Sequence, residues 1–172
     1  MIVEAAGPDD ARAAEADGAE AIAVRSELAG VREATELPIL WCRSGSFEDA
    51  ARAGADAVLI IAGDHEDEDG EQLTGLAAHA RELGLDWVVS VSDEDELARV
   101  LELHDPEIFH LAASGLERAL ELLADVPVGK LAIAEAHVTR DEVLELERRG
   151  IDAVIVPARN VAELVGGAPP TI

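Results

Sequence analysis

Eight short apolar runs recur along this chain, each parted from the next by a helix-like stretch, and that alternation limits the fold more than any other feature. The runs fall at 2–5, 21–24, 38–41, 57–61, 87–91, 108–111, 131–134 and 153–156. They are nearly continuous in apolar residues, which is what strands covered on both faces require. Between them lie stripes at helical spacing: Leu73, Leu76, Ala77, Ala80 and Leu83; Leu97, Val100 and Leu101; Leu116, Ala119, Leu120 and Leu123; Val143 and Leu146. Ser46, Ser92, Ser114 and Thr139 each stand three residues before an acid, the spacing of a capping box, and mark helix starts. Gly18, Gly54, Gly84 and Gly150 stand where helices should stop. A repeat, Asp17-Gly18-Ala19-Glu20-Ala21-Ile22, Ala53-Gly54-Ala55-Asp56-Ala57-Val58 and Arg149-Gly150-Ile151-Asp152-Ala153-Val154, precedes strands 2, 4 and 8.

Eight strand–helix units predict an α/β fold: a compact single-domain (β/α)8 barrel of eight parallel strands with shortened loops and helices. The chain has 172 residues, so each unit has about 21, and such barrels commonly run from about 200 upward. The open doubly wound sheet is the alternative, and it ordinarily holds fewer strands. One domain over 1–172 is expected, with 166–172 a frayed tail and the second unit too short for more than two helical turns.

Charge and composition then exclude classes of function. The formal net charge is −24, a field that repels nucleic acid and anionic lipid. Two Phe, two Trp and no Tyr leave little for base stacking. Salt adaptation and a GC-rich genome both fit an acidic chain whose lone lysine is Lys130. The apolar run 57–62 is too short to cross a bilayer, and no secretory signal is visible. Cys42 stands alone, which excludes an internal disulfide framework and a multi-cysteine zinc site, and a cytoplasmic setting is expected. No metal site and no cofactor are expected, and the oligomeric state is open. The acidic loop 64–70 reads as solvated rather than calcium-binding.

Three stretches resemble the indole-3-glycerol phosphate synthase family: 52–61, 76–97 and 150–156. The resemblance spreads over nearly the whole chain and implies a phosphate-binding barrel with its site at the C-terminal ends of the strands. The residues that would carry the family's chemistry match poorly. Glu4 matches a first-strand glutamate, but Ala6 stands at the lysine two residues on. Trp41-Cys42-Arg43 stands where the third strand ends in a catalytic lysine, and Ser90 replaces a fifth-strand glutamate. Leu111-Ala112-Ala113-Ser114 replaces a sixth-strand asparagine and arginine. Glu135 is kept on the seventh strand, with Ala136 and His137 in place of serine and glycine. Pro157, which has no N–H, occupies a glycine position of the phosphate turn.

The rim of such a barrel is where chemistry happens. Glu4, Glu135 and His137 are the candidate catalytic residues, with Glu135–His137 or Glu4–Arg43 as acid–base pairs. Arg43, Arg159 and Asn160 are the candidate substrate or anion-binding residues. His110, if it points inward, reads as a hydrogen-bonded core histidine, while His79 and His104 read as surface residues. The expected function is that of a family relative without ring-closure activity: a non-catalytic scaffold or weak binder of a small anionic metabolite, with no nucleic-acid or membrane partner. The alternative is an enzyme of lyase or isomerase type acting on a small phosphorylated or carboxylated metabolite at the rim.

Overall fold

A computed structural model describes residues 1–26, 29–43, 45–65, 70–135, 139–158 and 161. Eight parallel strands pair in chain order and close on themselves, as the alternating pattern predicts: β1 (Ile2–Glu4), β2 (Ala21–Val24), β3 (Ile39–Trp41), β4 (Ala57–Ile61), β5 (Asp86–Val91), β6 (Ile108–Leu111), β7 (Leu131–Glu135) and β8 (Ala153–Pro157). Closure is the β1–β8 pairing, Ile2 with Ile155, Val3 with Val156 and Glu4 with Pro157. Among the described residues six helices cover the ring: α1 (Pro8–Ala16), α2 (Phe47–Arg52), α3 (Glu71–Glu82), α4 (Glu94–Leu103), α5 (Leu116–Leu123) and α6 (Arg140–Arg149). In the short second unit the described residues hold a single 3-10 turn, Arg32–Ala34, and Val31 ahead of it is fully buried. The tail 166–172 and the acidic residues 66–69 lie outside the described residues.

The period-2 geometry of strands divides the apolar residues into two bodies. Outward-facing Val3, Ile22, Val24, Ile39, Val58, Val89, Phe109, Leu111 and Val154 pack beneath the helices with Leu97, Leu122 and Leu146. Complete burial of a side chain such as Phe109 or Leu122 stabilises by about 1.5–3 kcal/mol each. Inward-facing residues fill the barrel in tiers of four, taken alternately from even and odd strands. From the N-terminal end the registers give Ala21, Ala57, Ile108 and Ala153; then Ile2, Leu40, Val88 and Ile133; then Ala23, Leu59, His110 and Ile155. The next tier is Glu4, Cys42, Ser90 and Glu135, and above it the mouth carries Arg25, Ile61, Ala112 and Pro157.

The repeat has a structural reason. Asp56 and Asp152 each accept the first free N–H of the preceding strand, from Ile39 and Ala132, both at 2.8 Å. Their own N–H groups return bonds to the carbonyls of the same residues, at 3.0 and 2.9 Å. Glu20 does the corresponding work at the start of β1, pairing with the N-terminal amine while its N–H bonds Met1 O at 2.9 Å. Each repeat thus clamps an odd strand to the even strand that follows it.

The caps follow the sequence in part. Ser46 and Thr139 accept the N–H groups of Asp49 and Glu142, at 3.4 and 3.3 Å. The cap of α4 is Asp93, one residue later than Ser92, and accepts Glu96 N–H at 2.8 Å. Ser92 is instead held by the Glu96 carboxylate, through its N–H at 2.7 Å and its hydroxyl at 3.0 Å. Gly115, not Ser114, precedes α5.

Gly54 shows what its turn requires. Its φ is +85°, and a Cβ there would fall 2.6 Å from the Arg32 side chain. That arginine bonds the Thr35 and Leu37 carbonyls, at 2.5 and 2.9 Å, and Asp56 at 3.1 Å. Gly54→Ala is therefore expected to cost at least about 1–2 kcal/mol in urea unfolding. Gly75→Ala, inside α3 with nothing within 4 Å of the new Cβ, is expected to gain up to about 1 kcal/mol. Equal effects at the two positions would contradict this reading of the turn.

Candidate active site

The polar tier sits where apolar packing stops, at the C-terminal end of the ring. Its members face inward because each lies two residues beyond an inward apolar neighbour on the same strand: Glu4 after Ile2, Cys42 after Leu40, Ser90 after Val88, Glu135 after Ile133. Arg25 leans over this tier from the end of β2. Its Nε lies 3.2 Å from Glu4 Oε2, and its Nη2 donates to Glu135 Oε1. Glu135 Oε1 also meets His110 Nε2 at 3.2 Å, and His110 Nδ1 lies 2.9 Å from Ser90 Oγ. One chain of polar contacts therefore runs Ser90–His110–Glu135–Arg25–Glu4 across the mouth.

Burial falls off along that chain. Ser90 and His110 are 4% and 3% exposed, while the side chains of Glu135 and Arg25 are 29% and 37% exposed. The His110 contact with Glu135 is one of ion-pair distance rather than an aligned hydrogen bond, leaving Nε2 a buried atom held mainly by electrostatics. Contact with His110, and then the Arg25 charge, hold the Glu135 carboxyl down at about 2 against the opposing effect of burial. Burial pushes the Cys42 thiol up to about 12 although Arg25 stands near, so Cys42 is no thiolate at neutral pH.

The candidates from the sequence distribute unevenly. Glu4 and Glu135 lie in the polar tier, joined through Arg25 rather than through Arg43 or His137. Arg43 is exposed, and its carbonyl accepts the Trp41 indole N–H at 2.8 Å. It lines a cleft of about 240 Å3 with Cys42, Phe47, Leu59, Ile61 and Leu76, and Asp64 stands at the same cleft. His137, Arg159 and Asn160 lie outside the described residues, as does the turn after Pro157. His110 points inward and is hydrogen-bonded, the condition under which the sequence reads it as a core histidine. His79 is partly covered, stacked on Phe47 and 3.0 Å from Glu48. Lys130 lies at the far, N-terminal end of β7 and pairs with Asp105. Sequence reasoning missed Ser90 and Arg25 as members of one network. Counting by twos from the apolar residue at the heart of each strand puts them on the inner face.

The described residues include no group of three or more His, Cys, Asp or Glu side chains placed to hold a metal. No helix among them is long and apolar enough to cross a membrane.

The sequence profile of indole-3-glycerol phosphate synthase matches residues 4–159. The chain belongs to the indole-3-glycerol phosphate synthase family. Curated members include the indole-3-glycerol phosphate synthase of Geobacillus sp. (strain WCH70), 29% identical over 168 residues, covering 85% of this chain and 64% of that protein. Another, from Albidiferax ferrireducens, is 35% identical over 140 residues, 75% of this chain and 52% of its own length. The chain thus spans somewhat more than half the length of these family members. Among solved structures, the N-acetylmannosamine-6-phosphate 2-epimerase of Clostridium perfringens superposes with a TM-score of 0.74 at 15% identity, over 91% of this chain and 85% of that one. The thiamine phosphate pyrophosphorylase of Pyrococcus furiosus gives 0.66 at 18%, over 94% and 86%. Both likenesses concern the fold.

Set against the family pattern, the inner residue of Trp41-Cys42-Arg43 is Cys42, so a thiol occupies the interior place at the end of β3.

The depressed Glu135 carboxyl has a consequence for acid stability. A carboxyl held at about 2 when folded, against an ordinary value of 4.5, contributes stability that is complete above the ordinary value. It is lost as pH falls toward 2. Unfolding free energies measured from pH 6 to pH 2 should therefore fall less steeply for Glu135→Gln than for the unaltered protein. Parallel curves would show that Glu135 is not held in this way.

Proposed function

We propose that this family member does not close an indole ring and that its mouth instead holds a small anionic metabolite without turning it over. The observation that carries this reading is the polar tier itself. Cys42 fills the interior place of the third-strand lysine, Ala6 the place of the first-strand lysine, and the guanidinium over the tier, Arg25, is shared between Glu4 and Glu135. Ring closure needs a proton donor that can cycle near neutral pH. At the third-strand place and above the tier, a thiol pushed to about 12 and a guanidinium tied to two carboxylates do not supply one, and His110 lies a tier below them.

Arg43 is the basic group open to a ligand here. Its side chain makes no ion pair among the described residues, and the apolar wall of Phe47, Leu59, Ile61 and Leu76 beside it suits a small carboxylate or phosphate with an apolar body. Asp64 across the cleft opposes the anion and keeps affinity weak. Arg159 and Asn160 are proposed to assist at the phosphate turn. A cytoplasmic setting accords with a lone cysteine held as an inert thiol.

A second reading, an enzyme of altered chemistry, is favoured by one observation: the Ser90–His110–Glu135 contacts, which an inert scaffold does not need.

The test is ring closure of the carboxyphenylamino deoxyribulose phosphate substrate, followed by indole fluorescence, alongside calorimetric titration with inorganic phosphate. No turnover above buffer is expected, with weak heat that Arg43→Ala removes. Robust turnover would overturn the proposal.

A further inference from the structure

We propose that Ser90 is an acyl-accepting nucleophile, activated by His110 with Glu135 behind it, and that the mouth hydrolyses short-chain carboxylic esters. The inference stands on the second reading above and is independent of anion binding at Arg43.

The argument starts from proton positions. A carboxylate accepts hydrogen bonds and donates none, and Glu135 is ionised. The His110 nitrogen that faces it at 3.2 Å, Nε2, therefore carries the ring proton. Nδ1 is then a bare acceptor, and the Ser90 hydroxyl 2.9 Å away donates to it. Nucleophile, base and orienting carboxylate thus stand in order, the relation that defines an activated serine wherever it occurs. His110 Nδ1 thus meets a hydroxyl at 2.9 Å, while Nε2 has a carboxylate oxygen at 3.2 Å that is not aligned as a hydrogen bond.

The tiers supply the rest. His110 lies one tier below Ser90 and Glu135, on the strand between theirs, so it bridges them from beneath rather than from the mouth side. Above Ser90 the neighbouring strands present Ile61, which is exposed, and Ala112, which is small and exposed. Ser90 itself is 4% exposed, so the proposed acyl group is confined to a short, unbranched one seated between these two side chains.

The chemistry closes with an ester and water. Ser90 Oγ bonds to the acyl carbon as its proton passes to His110 Nδ1, and Glu135 stabilises the imidazolium. The bond to the leaving alcohol breaks, and the alcohol takes the proton from Nδ1. Water, deprotonated by the same nitrogen, then attacks the acyl-serine, releasing the carboxylic acid and restoring the hydroxyl.

Methanesulfonyl fluoride tests this without a known substrate. It is small enough for a residue that is 4% exposed, it forms an Oγ–S bond with loss of fluoride, and the chain has no tyrosine to compete for it. Intact mass and peptide mapping should show one adduct at Ser90, absent in Ser90→Ala. The rate should fall about 100-fold or more in His110→Gln, with circular dichroism confirming that the variant is folded. If His110→Gln does not fold, Glu135→Gln should slow labelling instead, by about 10-fold or more. No adduct, an adduct that survives Ser90→Ala, or equal labelling rates in a folded His110 or Glu135 variant would each overturn the proposal. None of these outcomes depends on the ring-closure assay.

Discussion

The clasp of Arg25 on Glu4 and Glu135 decides what the mouth of this barrel is. Two carboxylates facing one another inside a ring of strands would repel, and burial would add to the penalty. A guanidinium shared between them removes most of that repulsion and fixes both side chains. It also uses up the guanidinium that leans over the tier. The polar network is stable for the same reason that it offers no free amine.

That clasp is possible because the ring closes with an alternating stagger. Even and odd strands contribute in turn, so Arg25, from an even strand, falls in the tier above Glu4 and Glu135, from odd ones. His110 reaches the same carboxylate from the tier below for the same reason. Glu135 is therefore gripped from two sides, by a permanent cation above and an imidazole beneath, which is why its carboxyl lies so far below the ordinary range. The three tiers under the site carry no Asp, Glu, Lys or Arg side chain, and they hold the strand ends in register.

Much of the fold was legible because it rests on repeated, local signals. Eight apolar runs, positive-φ glycines at Gly18, Gly54, Gly84 and Gly150, and the Asp56–Ile39 and Asp152–Ala132 clamps all lie within about one unit of sequence. The caps shifted at α4 and α5 because competing acceptors, Glu96 for Ser92 and the backbone at Gly115, are settled by tertiary geometry. The site was less legible. Glu4 and Glu135 stood out as charges at strand ends, but their partner did not, since Arg25 lies 110 positions from Glu135 in sequence and no local spacing relates them. Ser90 was hidden in an apolar run, where a hydroxyl looks incidental until His110 is seen on the adjoining strand.

A double-mutant cycle on Arg25 and Glu135, using Arg25→Met and Glu135→Gln with stability read by urea unfolding at pH 7, tests the clasp most directly. Residues that share a charge network couple by about 0.5–3 kcal/mol, and a half-buried pair that also holds Glu4 and His110 belongs in the upper part of that range. The account predicts a coupling of at least about 1 kcal/mol. Losses that add to within about 0.3 kcal/mol would contradict it, because each side chain would then be stable without the other.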